Sequence, residues 1–479
     1  MPIKIAAMVG AIALAVCPAA RPEPGSPVGP AAAWRAAGLA AAEQARKPAS
    51  SRTHARNVIL FIGDGMGLST ITAARILEEQ QKGQTGKENQ LSFEAFPATA
   101  LAKTYNTDLQ VPESAGAMSA IMTGVKTRGT SVGMDEVPSR GQCREAAGHE
   151  TQTLLEAAKD AGLEAGVVTT ARVTLAVPAA TYAHVSDRDW EVDTRMPRAA
   201  IAEGCRDVAR QLMEFDHRGG LDVVLGGGRL AFMTPHQADP QAASRLGVRG
   251  DGRDLIGKWR SRYPSGRYVW SGAQLQAAAN DPPGPLLGLF APDDMAFESD
   301  RATEAPDEPS LAEMTRAAVA RLAHSSRRYV LVVDVGGIDR AHHQGDALRA
   351  LAETIALSEA VRTAMSVIGT DDTLVIVTAD HSHTLTIAGY PARGNSILGL
   401  AVGTDGTPLL DKRGKPYATL SYANGPGVAA AVPLDAETHG GEDVPIYATG
   451  PGSQWIHGTM EQNVLYWIIR AALWPAPGP

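Results

Sequence analysis

Thiols are scarce: the chain has three cysteines in 479 residues, and aromatic side chains make up only 5%. Any metal centre here therefore has to rest on oxygen and nitrogen donors. No long run of lysine and arginine interrupts the interspersed charges, whose formal balance is −8. That leaves no electrostatic footprint for a phosphate backbone and argues against nucleic-acid binding. Apolar runs are short as well. None reaches the roughly 20 residues that a membrane-spanning helix needs, and the C-terminal AALWPAPGP has no hydrophobic tail for a lipid anchor. Aliphatic residues, by contrast, are plentiful. At 44% hydrophobic content the chain can build the core of one large α/β domain or two smaller ones.

The N-terminus carries an address. Lys4 precedes IAAMVGAIALAV (Ile5–Val16), and CPAA follows. A basic start, a short hydrophobic segment and small residues mark residues 1–20 as a secretory signal, and so the protein as periplasmic or extracellular. Cys17 after LAV resembles a lipoprotein site only weakly. Residues 21–30 read as a flexible leader and 31–47 as a helical arm. Once Cys17 leaves with the signal, Cys143 and Cys205 remain. In an oxidising compartment they read as one disulfide, the alternative being two free buried thiols.

Residues 48–479 alternate between strand and helix patterns. NVILFI (Asn57–Ile62) reads as a strand, GDGMG as a turn and LSTITAARILEEQ as a helix. Helices are expected at 152–161, 311–324 and 347–368. Strands are expected at EAGVVTT, LDVVLGGG, RYVLVVDVGG and TLVIV. Near-continuous Val/Ile/Leu runs imply strands covered on both faces, hence a three-layer α/β sandwich around a large, mostly parallel sheet. Residues 227–310 read as irregular decoration, and 403–420 as a small surface insertion.

Polar residues gather where such strands end. TLVIV runs into TADHSHT, which carries Asp380, His381 and His383. Alone, this is a polar loop after a strand. But Asp64 follows the first strand, Asp334 and Asp339 follow another, and ligands in open α/β sheets bind beyond the carboxyl ends of strands. Asp339 and His343 are four apart and share one face of a helix. His439 lies in a glycine-flanked loop. Oxygen and nitrogen donors of this kind suit zinc, and also manganese or cobalt. Ser114, in VPESAGAMSAIMTG, opens a helix-like run. It reads either as an N-cap or as a nucleophile ionised at a helix N-terminus beside a metal.

FIGDGMG, VPESAGAMSA, RVTLAVPAATYAHVSDRDW, GGIDRAHHQGD, TADHSHT and DAETHGGED occur in the order and approximate spacing of the alkaline phosphatase family. From about Trp34 to about Ile469 the chain resembles its animal-type members. The resemblance implies a hydrolase of phosphate monoesters that works through a phosphoserine on Ser114. One zinc would be held by Asp64, Asp380 and His381, and a second by Asp339, His343 and His439. His383 would lie near the metals, and Arg188 would grip two phosphate oxygens, a task its planar fork suits. Arg172 is nearer a strand end, but the match of PAATYAH gives that role to Arg188. The resemblance also implies a Cys143–Cys205 disulfide, small-molecule phosphate esters as substrates, activity rising into mildly alkaline pH, and a homodimer joined through the N-terminal arm.

The chain departs from the family at several positions. Around the third, magnesium-type site, which Asp64 would share, relatives carry a hydroxyl where Val177 stands, a glutamate where Asp334 stands, a polar residue where Leu175 stands, and lysine or histidine in place of Arg340. Valine binds no cation, so that site is expected to be absent, weak or rebuilt, and Arg340 would replace some of its charge. Glu113 replaces an aspartate that pairs with the phosphate-gripping arginine. The calcium site of animal relatives is broken at Ala291, beside a retained Phe290, with Glu308 replacing an aspartate. The insertion around 391–435 is shorter than the family's crown. Two other functions compete: a phosphodiesterase or nucleotidase on the same scaffold, and a non-catalytic phosphate- or metal-binding protein. A sulfatase would need a nucleophile motif that the chain lacks.

Overall fold

In the computed structural model, residues 52–278, 284–325, 327–369, 371–426 and 430–474 are described. The signal, leader and arm lie outside them. NVILFI forms β1 (Asn57–Ile62), buried at every residue, in a ten-stranded sheet. Across that sheet the order is Gly458–Glu461, β2 (Ala98–Lys103), Val444–Thr449, β8 (Thr373–Thr378), β1, β7 (Tyr329–Asp334), β3 (Glu164–Arg172), β4 (Val223–Gly227), β6 (Leu286–Leu289) and β5 (Arg267–Val269). Only Val444–Thr449 runs against its neighbours; the remaining pairs are parallel. β7 and β8 are also buried at every residue. This is why their central residues are apolar in an unbroken run instead of alternating.

The helices form two packed groups. Leu68–Gln80 and Leu311–His324 both contact Ala347–Val367, whereas Ser114–Thr123 contacts Val464–Leu473 and Leu154–Asp160. Leu311–His324 begins with a capping box, in which Ser310 and Glu313 satisfy each other's backbone amides. Thr153 and Glu156 do the same for Leu154–Asp160.

Residues 227–310 are more regular than expected. They contribute β5, β6 and the helix Leu255–Arg262. β6 is only four residues long and follows a proline- and glycine-rich stretch, so its apolar run is too brief to signal a strand. β2, with sequence ATALAK, is alanine-rich and has little strand propensity of its own; pairing on both edges makes it a strand. The segment 391–426 carries short isolated bridges, such as Leu400 with Ala418. Gln80 ties it to the helix Leu68–Gln80 by bonding Asn395 O and Ile397 N.

Cys143 and Cys205 are joined in a disulfide with Cα atoms 5.9 Å apart, so the two-thiol alternative is set aside. Among the described residues, no helix is long and apolar enough to cross a membrane.

Candidate active site

Register brings the first carboxylates together. Ile62 at the end of β1 lies level with Asp334 on β7 and with Thr378 on β8. The chain leaving β1 therefore presents Asp64 beside Asp334, and the chain leaving β8 presents Asp380 and His381 on the other side. The turn needs glycine at Gly65. Its φ is +71°, and an added Cβ would lie 2.4 Å from the His383 ring. Its amide donates to Asp380 Oδ1 at 3.1 Å.

Ser114 reaches this cluster on a helix buried along its whole length, Ser114–Thr123. The N-cap is Glu113, whose Oε2 accepts from the Ala115 amide at 2.9 Å. Ser114 is thus the first helical residue, not the cap. A Cβ on Gly116 would come within 2.4 Å of Arg128 O, so this helix can sit this deep only with glycine there. Ser114 Oγ lies 3.0 Å from His381 Nε2, and His381 Nε2 lies 3.5 Å from both Asp64 Oδ1 and Asp380 Oδ2.

A second group adjoins the first. Asp339 and His343 lie on the helix Gly336–His343. His439 arrives through a short antiparallel pairing that sets it opposite His383. Asp339 Oδ1 is 3.3 Å from His343 Nε2, 3.3 Å from His439 Nε2 and 2.9 Å from His383 Nε2. His343 Nε2 and His439 Nε2 are 3.2 Å apart.

The donor chemistry of both groups fits a cation. Each of three histidines turns Nδ1 to a backbone carbonyl: His381 to Ser382 O, His343 to Glu437 O and His439 to Pro112 O. Nδ1 then carries the proton, and the Nε2 lone pairs face the carboxylates. Asp64 Oδ1 and Asp380 Oδ2 are buried with no hydrogen-bond partner. Protonating the rings instead would set like charges against each other, because His381 and His439 stack with centroids 3.6 Å apart. Burial, reinforced by Asp380, Asp339 and Asp334, pushes Asp64 well above the usual carboxylate range. Burial likewise raises Asp380 to about 7, against a lowering bond from the Gly65 amide. Burial and then His439 hold His381 well below its ordinary value, keeping it neutral. A divalent cation among these acceptors would remove the repulsion and keep the carboxylates ionised.

Arg188 pairs with Glu113 beside the nucleophile helix. Arg172 does not compete for that place. It is bonded to Glu191, Asp293 and Asp294.

The third-site residues behave differently. Asp334 Oδ2 accepts from Thr169 Oγ1 at 2.6 Å, and Thr169 Oγ1 in turn accepts from the Ala171 amide. Val177 is buried and offers no oxygen. Arg340 is bonded to Met295 O at 2.8 Å, paired with Asp294 at 3.3 Å and laid over the Phe297 ring. Its charge is committed there, contrary to the expectation that it would replace a missing cation. A hard cation taking near-octahedral oxygen coordination finds one unpartnered oxygen on Asp334, Oδ1, and a hydrocarbon at position 177. The set does not fit. At the expected calcium position, Phe290 and Ala291 are buried. Glu308 accepts from the Ala296 amide at 2.8 Å.

Sequence reasoning missed Glu437. Fully buried, it bonds His383 Nδ1 through Oε2 and takes the Thr384 amide and hydroxyl on Oε1, both at 2.6 Å. Its backbone meets His343 twice, N to O and O to Nδ1. Its place two residues before His439 was the available signal. The two carboxylates flanking His383, Asp339 and Glu437, overcome burial and raise that ring to about 9. His342, adjacent in sequence to His343, points elsewhere and bonds Thr70 and Tyr422.

A buried serine beside two groups of Asp and His, at the carboxyl edge of a mostly parallel sheet, defines a metal-dependent hydrolase of the phosphoryl-transfer class. The chain belongs to the alkaline phosphatase family, whose model it matches over residues 55–474. It is 43% identical over 440 residues to the tissue-nonspecific alkaline phosphatase of Gallus gallus, with 86% of this chain and 83% of that protein covered. Among solved structures it is similar to the alkaline phosphatase of Thermus thermophilus, with a TM-score of 0.66 and 23% identity over 88% of this chain and 92% of that one. It is also similar to a variant of the TAB5 alkaline phosphatase that has Mg bound in its M3 site, with a TM-score of 0.63 and 22% identity over 88% and 99%. The protein is an alkaline phosphatase that hydrolyses phosphate monoesters.

Proposed function

We propose that Ser114 is the nucleophile of this reaction and that two cations of the zinc type lie against it. One would be held by Asp64, Asp380 and His381, the other by Asp339, His343 and His439. When bound, two such ions supply Lewis acidity, lowering the pKa of oxygen ligands and neutralising charge on the transferring phosphoryl group. Ser114 Oγ bonds to phosphorus as the P–O bond to the ester's alcohol breaks, and the proton given up by the serine is balanced by the one that the departing alcohol takes up. Water then breaks the phosphoserine, its oxygen leaves in inorganic phosphate, and the serine hydroxyl is restored. The helix N-terminus behind Ser114 favours the negative charge that builds there. Arg188 donates two N–H groups to the non-bridging oxygens, oriented by Glu113. His383 and Glu437 hold the histidine ligands in place.

The observation that carries this reading is the 3.0 Å contact between Ser114 Oγ and His381 Nε2, a ring that also faces two unpartnered carboxylate oxygens. Acid quenching during turnover of a radiolabelled phosphate ester should trap label on the peptide containing Ser114, and none in Ser114→Ala. Label on any other residue would defeat the assignment.

The proposed cation count is two instead of three, because Val177 offers no oxygen and Thr169 occupies one of the two Asp334 oxygens. The protein acts after export as a homodimer. The N-terminal signal and the disulfide support export, and resemblance of residues 31–47 to the family's arm supports the dimer.

A further inference from the structure

Arg188 projects from a tight turn, Asp187–Trp190, closed by the Trp190 amide on Asp187 O at 3.1 Å. The turn sets an aspartate on each side of the arginine. These two carboxylates flank in sequence a cation meant for a phosphate dianion, and their charge would repel that anion unless it is offset. Neither is left bare. Arg140, from a different loop, reaches Asp187 Oδ2 with Nε at 3.1 Å and Asp189 Oδ2 with Nη2 at 2.6 Å. The same loop is fastened to the turn by the Gly141 amide on Ser186 O at 3.2 Å. Two residues further on, Cys143 anchors it to Cys205. Arg188 itself is held by its amide on Thr130 O and by Glu113.

We infer that Arg140 is a positioning residue for phosphate binding. It neutralises Asp187 and Asp189 so that the Arg188 charge is directed at the substrate. Its own side chain stays about half exposed and supports no buried core, so its removal should not unfold the protein. The inference rests on the role proposed for Arg188.

The test is a set of variants assayed for KM, kcat and competitive inhibition by inorganic phosphate, with thermal midpoint and bound metal measured alongside. Arg140→Ala should weaken inhibition by phosphate and raise KM about three- to tenfold, with a smaller change in kcat and unchanged metal content. Arg140→Lys should fall between it and the wild type, because an ammonium can pair with only one carboxylate at a time. Combining Arg140→Ala with Asp187→Asn and Asp189→Asn should restore phosphate affinity to within about twofold of the parent, since the charges that Arg140 offsets are gone. High salt should shrink the difference between wild type and Arg140→Ala. Unchanged phosphate affinity in Arg140→Ala overturns the inference. So does a triple variant as weak as the single one, which would make Arg140 merely structural. Arg188→Ala separates the two readings: if it leaves phosphate affinity intact, the Arg188 assignment fails, whatever Arg140 does.

Discussion

Glu113 pairs with Arg188, and the same carboxylate caps the helix that begins at Ser114. One side chain therefore fixes both the nucleophile's helix and the residue proposed to grip phosphate. Glu113→Gln keeps an acceptor for the Ala115 amide but loses the ionic pairing. It should weaken inhibition by phosphate severalfold with little change in thermal midpoint. Glu113→Ala should show the same weakening plus a loss of about 1 kcal/mol in stability from the missing cap. Equal phosphate affinity in Glu113→Gln and the wild type would show that Arg188 needs no such partner.

Glu437 lies outside the two ligand sets proposed here, yet its backbone holds His343 and its carboxylate holds His383. Outer groups of this kind typically contribute 10- to 100-fold to metal affinity. Glu437→Gln should therefore lose bound metal at about tenfold lower chelator concentration than the wild type. The readout is metal retained after dialysis, which does not depend on turnover. Equal retention would mean that His383 is oriented without the charge of that carboxylate.

The parts of this architecture legible in sequence were those with a strong local signature. β1, β7 and β8 have apolar centres because both faces are covered, and Asp64, Asp334 and Asp380 sit at or just beyond their ends because the strands end level. Leu68–Gln80 and Leu311–His324 end where their sequences imply. What escaped depends on contacts distant in sequence. β2 and β6 become strands through their neighbours. Arg340 turns to Asp294 and Phe297, which no spacing rule places beside it. Glu437 was hidden because a glutamate in a polar loop looks solvated until Thr384 and His383 are found against it.

His184 gives the stability of the fold a pH dependence. Its Nε2 is 2.9 Å from Glu156 Oε1, and its Nδ1 is 2.7 Å from Gly133 O. Two acceptors call for a charged ring. Burial opposes the charge, but the bond and charge of Glu156 outweigh burial, and the His184 pKa is raised. For a raised histidine the stabilisation is full below the unfolded-state value, near 6.5, and is lost as pH climbs through the folded value. Glu156 shows the opposite sign: despite burial, His184 lowers it, so its contribution is lost as pH falls through the folded value. The wild type should be less stable to heat at pH 9 than at pH 6.5, and His184→Gln should flatten that difference. A slope unchanged in the variant would place its origin elsewhere.

The third cation is a direct test of the donors at Asp334 and Val177. Asp334 is bonded to Thr169 and Val177 presents only methyl groups, so purified protein should carry two divalent ions per chain by elemental analysis, even after incubation with excess magnesium. Restoring donors should reverse this. Val177→Ser supplies a hydroxyl, and Asp334→Glu adds one methylene of reach. The double variant should take up a third ion, seen as a rise in stoichiometry and as a magnesium-dependent gain in thermal midpoint that the wild type lacks. Because a buried valine is being replaced, Val177→Ser alone should lose about 1 to 2 kcal/mol in the absence of magnesium, a cost that magnesium offsets only in the double variant. A stoichiometric third ion in the wild type would mean that Asp334 Oδ1 and Asp64 suffice as protein donors, and that water serves where the hydroxyl is missing.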